Sequence, residues 1–139
     1  MHKKTEAGPP VLVEEISRKI GASPHVWVIS WRIKNLSDRQ LHLLAARLPH
    51  SQFRGGEIQL QPALEVPSGQ SAVLELSVAC NEAPGEVVEN AFLILRVLWS
   101  GEPWRILTRF RVLVDSEGAP HTTTELITTQ PVGFSEGEE

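Results

Sequence analysis

Two apolar runs of strand length meet at a short turn between Phe92 and Val114, FLILRVLWSGEPWRILTRFRVLV. A stretch of this kind has to fold back on itself as a hairpin, because neither run can bury its apolar side chains alone. Taking Ser100 to Pro103 as a four-residue loop sets Trp99 opposite Trp104, Val97 opposite Ile106, Leu95 opposite Thr108, Leu93 opposite Phe110 and Ala91 opposite Val112. That face is almost wholly apolar. The other face carries Phe92, Ile94, Arg96 and Leu98 against Arg111, Arg109, Leu107 and Arg105. Side chains alternate between faces along a strand, so one register sends all four arginines to the same side.

The same period of two recurs along the chain. In Val26 to Asn35, Trp27, Ile29, Trp31 and Ile33 fall on one side and Ser30, Arg32 and Lys34 on the other, the pattern of a half-buried strand. Asn35 to Asp38 (NLSD) supplies a turn, and Leu41 to Leu48 is apolar on both faces, as in a strand covered on both sides. Gly55 and Gly56 break the chain before two short strands, Ile58 to Leu60 and Leu64 to Val66, with Pro62 between them. Pro67 to Gly69 turns the chain into Ala72 to Cys80, whose even positions point inward and make Cys80 a small core residue. An acidic loop, Asn81 to Asn90, precedes the hairpin. Val11 to Ile20 fits a bulged edge strand or a short helix ending at Gly21. The strand is preferred because it completes a sheet. His121 to Thr129 is β-prone, and the terminal SEGEE is expected to be disordered.

These signals predict an all-β domain, an antiparallel two-sheet immunoglobulin-like β-sandwich of about seven strands. Residues 1–10 are read as a flexible N-terminus, 11–115 as the sandwich, and 116–139 as a C-terminal extension with an edge strand and an acidic tail. WRIKNLSDRQLHL (Trp31 to Leu43), LEVPSGQSAVLEL (Leu64 to Leu76) and the long hairpin resemble bacterial immunoglobulin-like and fibronectin type III-like domains. The resemblance implies a scaffold for adhesion, recognition or spacing. The chain departs from antibody domains: a single cysteine leaves no inter-sheet disulfide, and without tyrosine there is no tyrosine corner.

Composition narrows the function. A formal charge of −4 argues against general nucleic-acid binding, which needs a basic face. MHKKTEAGPP has no apolar run after its lysines, and the apolar stretches are strand-sized and interrupted by charge. No signal peptide or membrane span is therefore expected, and the expected location is the cytoplasm. The five histidines show no ligand spacing, and Asn81, Glu82, Glu86, Glu89 and Asn90 read first as a solvated loop and second as a calcium loop. No nucleophile elbow, phosphate loop or dinucleotide fingerprint is present. Glu14 and Glu15 are adjacent and point to opposite faces. No enzymatic activity, cofactor or metal is expected. Trp27 and Trp31 read as core, and Trp99 and Trp104 as a plug at the hairpin mouth.

The candidate site is then the outer face made by Arg96, Arg105, Arg109, Arg111, Phe92, Ile94 and Leu107, aided by Leu44 and Leu48 on a neighbouring strand. Arginine stems lying over apolar neighbours can keep such a face soluble without any partner. The hairpin register, however, sets no glutamate opposite any of the four arginines, and like charges this close repel. Arginine among aromatic and aliphatic groups is also the composition of interface centres. The reading preferred here is a protein-interaction or assembly module that binds a protein partner or a second copy. An anionic-ligand or carbohydrate-binding module and a spacer without a site are the alternatives.

Overall fold

Eight strands follow one another along the chain in the computed structural model, which describes residues 7–133. They are β1 (Val11–Ile20), β2 (Val26–Asn35), β3 (Leu41–His50), β4 (Phe53–Val66), β5 (Ser71–Ala79), β6 (Val87–Trp99), β7 (Glu102–Val114) and β8 (Pro120–Pro131). All pairings are antiparallel, in the order β1-β2-β5-β4-β3-β6-β7-β8. The single sheet curls until β8 comes back to β1, so the protein is a nearly closed barrel.

This corrects the expected two-sheet sandwich of about seven strands. A sandwich and a barrel both bury one face of every strand and so produce the same alternation; they differ in which edges meet. Here β4 runs unbroken through Pro62 to join β3 on one side and touches β5 on the other through one backbone pair, Arg54 with Ala79. β8 adds a twelve-residue strand along the whole of β7.

Side chains rather than a backbone ladder draw the last seam together. Glu15 follows Val11 and Val13 on the inward side of β1, just before a bulge, and its carboxylate reaches β8. Its Oε1 accepts hydrogen bonds from the Thr122 amide at 2.7 Å and the Thr122 hydroxyl at 2.6 Å, while Arg18 donates to Oε2. Thr124 Oγ1 donates to the Val13 carbonyl at 2.8 Å. Residues 7–10, counted with the flexible N-terminus on sequence grounds, reach the same strand: a Cβ on Gly8 would overlap the Thr129 hydroxyl and the Trp104 ring. The remaining N-terminal residues and the acidic tail lie outside the described residues.

Apolar side chains fill the interior. Trp31 from β2 stacks on Phe110 from β7 with ring centroids 5.5 Å apart, and Phe53 from β4 meets both edge-on at 6.5 and 6.4 Å. The Trp31 indole N–H donates to Thr122 Oγ1 at 3.1 Å, which ties the core to the seam. Trp27 is only half-buried at the edge of this cluster. Trp99 and Trp104 close one end of the barrel edge-to-face at 5.9 Å. Beside them the fully buried Asn35 donates to the carbonyls of Arg39 (2.7 Å) and Val66 (2.9 Å) and accepts from Ser37 N and Oγ, fastening two turns to one another.

Candidate interaction face

The position of every outward side chain on β6 and β7 follows from the turn between them. It contains only Ser100 and Gly101, with φ of 53° and 81°, the paired positive values of a two-residue primed turn. The expected four-residue loop is therefore too long, and the register moves by two. Trp99 pairs with Glu102, Val97 with Trp104, Leu95 with Ile106, Leu93 with Thr108 and Ala91 with Phe110. A shift of two leaves every side chain on its original face. Ala91, Leu93, Leu95, Val97, Ile106, Phe110 and Val112 line the core.

On the outer face the new register builds three rows across four strands. Ala45, Arg96, Arg105 and Gln130 form one; Arg47, Ile94, Leu107 and Thr128 the next. Phe92, Arg109 and Leu126 form the third, and Arg111 lies beyond it opposite Thr123. Phe92, Ile94 and Leu107 are half-buried, as are Arg105 and Arg109, whereas Arg96 and Arg111 are exposed. Leu48 does not belong to this face. It is fully buried in the core, because a bulge between Leu43 and Ala45 shifts the phase of β3. Leu41 and Leu43 point inward before the bulge and Ala46 and Leu48 after it, which is why the strand reads as apolar on both sides.

The expectation of an array without carboxylates is also corrected. The acids come from outside the β6–β7 register. Glu89, in the bulge at the start of β6, accepts from Arg111 Nε at 3.2 Å. Glu125 on β8 lies 3.8 Å from Arg109 Nε, and Glu57 on β4 lies 3.7 Å from Arg96. The last two are beyond hydrogen-bond length, and Arg109 Nε is buried without a hydrogen-bond partner. Arg105 donates to the neutral Gln130 at 3.2 Å. Among the described residues, neither Arg105 nor Arg47 has a carboxylate within 4 Å.

Those two arginines both line a pocket of about 130 Å³. Ala45, Ala46, Ile94, Arg96 and Glu57 complete its lining. Ala45 is 1% exposed yet stands apart from the core cluster, in the row of Arg96 and Arg105. Sequence reasoning missed Arg47, Glu57 and Ala45. β3 neighbours β6 across 36 intervening residues, 51–86, and only the double-sided apolar character of Leu41 to Leu48 hinted at the phase change that brings them there.

Two wider clefts, of about 490 and 450 Å³, flank Trp27 at the other end of the barrel. Their most polarised group, Asp115, is engaged locally: it accepts from the amides of Glu117 and Ala119, each at 2.9 Å, and lies 2.8 Å from His121 Nε2. These bonds, that from His121 foremost, hold its carboxyl at about 2. Burial pushes the Cys80 thiol up, away from the reactive thiolate. No group of three or more potential metal ligands converges among the described residues, the Asn81 to Asn90 loop included. Among the same residues no helix is long and apolar enough to cross a membrane.

No protein-family model matches the chain, and no curated protein matches it either. Neither comparison bears on the resemblance to immunoglobulin-like domains.

Proposed function

We propose that this protein is a non-catalytic interaction module of the cytoplasm that engages a protein partner through the outer face of β3, β6, β7 and β8. One observation carries the reading: among the described residues, Arg47 and Arg105 have no carboxylate within 4 Å, and they stand beside half-buried Ile94 and Leu107. A face that had only to stay wet would gain by pairing these charges. Left open, they can donate several hydrogen bonds each to an acidic group, while the apolar rows between them supply area to bury.

The face is tested with the double variant Arg96→Glu, Arg109→Glu. The wild-type protein is titrated with a fluorescent peptide that alternates glutamate and leucine, and its mass is followed by sedimentation over a range of concentrations. The peptide is expected to bind the wild type. In the double variant that binding, and any self-association of the wild type, is lost while the melting temperature stays close to wild type. Peptide binding that persists at full strength in the double variant would remove the face from consideration.

A further inference from the structure

Resting on that reading, we infer that the pocket between Arg47, Arg96 and Arg105 takes a phosphoryl group, so that the partner segment recognised by this face is a phosphorylated peptide. Among the described residues that line it, three arginines stand against one carboxylate, Glu57, an excess of two positive charges. A phosphoserine or phosphothreonine carries close to two negative charges at neutral pH and three acceptor oxygens, whereas a glutamate side chain carries one charge and two oxygens. The phosphorylated residue therefore neutralises the pocket, and the carboxylate leaves half of the excess unmatched.

The shape agrees with the charge. A guanidinium presents its N–H groups as a planar fork that meets phosphate in pairs, and here forks arrive from three adjacent strands, β3, β6 and β7, around one opening. Arg105 is half-buried and already steadied by Gln130 at 3.2 Å, so less side-chain freedom is lost when it binds. Glu57 acts as the gatekeeper. Its Oε2 accepts from Gln59 Nε2 at 2.8 Å and stands 3.7 Å from Arg96, close enough to neutralise that arginine in part and far enough to release it to a stronger anion. Ile94 and Leu107 beside the pocket suit apolar residues flanking the phosphorylated one.

The experiment uses three fluorescent peptides of one sequence, in which leucines flank a central serine, phosphoserine or glutamate. Binding is read by anisotropy, and the arginine Nε–Hε resonances are followed while sodium phosphate is added. The phosphoserine peptide is expected to bind about tenfold or more tighter than the glutamate peptide, and the serine peptide weakest of all. Arg47→Gln and Arg105→Gln each weaken the phosphoserine peptide about tenfold. Glu57→Gln strengthens it a few-fold, the change a purely structural glutamate would not produce. Phosphate shifts the resonances of Arg47, Arg96 and Arg105 before those of Arg32. Equal binding of the phosphoserine and glutamate peptides would overturn the phosphoryl assignment and leave the interaction face standing. If phosphate moves none of the three pocket arginines and none of the peptides binds, both readings fall together.

Discussion

Across β1, β2 and β5 two outward pairs form: Arg32 donates to Glu14 at 3.2 Å on directly opposed positions, and Lys19 lies 3.9 Å from Glu75, while exposed Lys34, opposite Ser71, has no carboxylate within 4 Å among the described residues. On β5, exposed Val73 lies opposite Arg32 and exposed Ser77 opposite Val28. Across β3, β6, β7 and β8 the outward charges do not balance. Five arginines face three glutamates, two of those pairs are loose, and Arg47 and Arg105 have no acid at all among the described residues. The same alternation produced both surfaces, and solubility asks the same of both. The difference therefore points to what the second surface meets, and it can be tested from the shared interior outward.

The largest effect is expected where the two halves are one body. Trp31 comes from the first of these surfaces' strands and Phe110 from the second's, and their rings stack 5.5 Å apart inside the barrel. Trp31→Ala should cost about 3–5 kcal/mol, because it removes the ring and leaves a cavity that the rigid sheet cannot close. Urea unfolding followed by two probes, Trp fluorescence and far-ultraviolet circular dichroism, should still give a single coincident transition. Separate transitions would mean that the halves fold independently and that the comparison concerns two objects.

Next in size is the seam. Glu15→Ala removes the acceptor of both the Thr122 amide and its hydroxyl, and of Arg18, for an expected loss of about 1–3 kcal/mol. Amide exchange should accelerate at Thr122 and Thr124 well before it does along β6 and β7. Uniform acceleration would show that the seam opens only with global unfolding.

How much of this could be read from the chain depends on how local each cause is. Ile29, Trp31 and Ile33 point inward because one face of their strand is buried, and that leaves its mark on ten consecutive residues. The grouping of Arg96, Arg105, Arg109 and Arg111 on one face was legible for the same reason, and it survived an error of two in the register because the side-chain period is two. Closure was not legible. Glu15 and Thr122 lie 107 positions apart, and nothing around either marks the other as its partner. The pocket was hidden for a third reason: the bulge at Leu44 sets one extra residue of β3 against β6, visible only when the two strands are laid side by side, and it decides that Ala45 and Arg47 join the arginine face.

A smaller effect, confined to acid, is expected at the far end of the barrel. The Asp115 carboxyl is held at about 2 against an ordinary 3.8, chiefly by the bond from His121. A carboxyl lowered by folding contributes stability that is fully present above its unfolded value and is lost as pH falls through its folded value. Asp115→Asn should therefore lower the melting temperature slightly at neutral pH, and the difference should have nearly gone by about pH 2. The wild-type and variant curves should converge between 3.8 and about 2. A constant offset through that window would show that the aspartate acts by turn geometry and not by charge.

The smallest effects belong to the two outer faces themselves, and they should differ in sign. Arg32→Gln breaks an exposed pair and should cost between a few tenths and about 1 kcal/mol. Arg47→Gln breaks no ion pair and removes one of three guanidinium groups crowded around a single pocket, so stability should stay level or rise by a few tenths of a kcal/mol. Measured in low salt, the two variants should fall on opposite sides of wild type, and added salt should draw them together as both attraction and repulsion are screened. A loss for Arg47→Gln as large as that for Arg32→Gln would mean that Arg47 already has a stabilising role in the free protein. Stability gained on removing Arg47, set beside binding lost, would show that its charge is held at a cost that only a bound anion offsets.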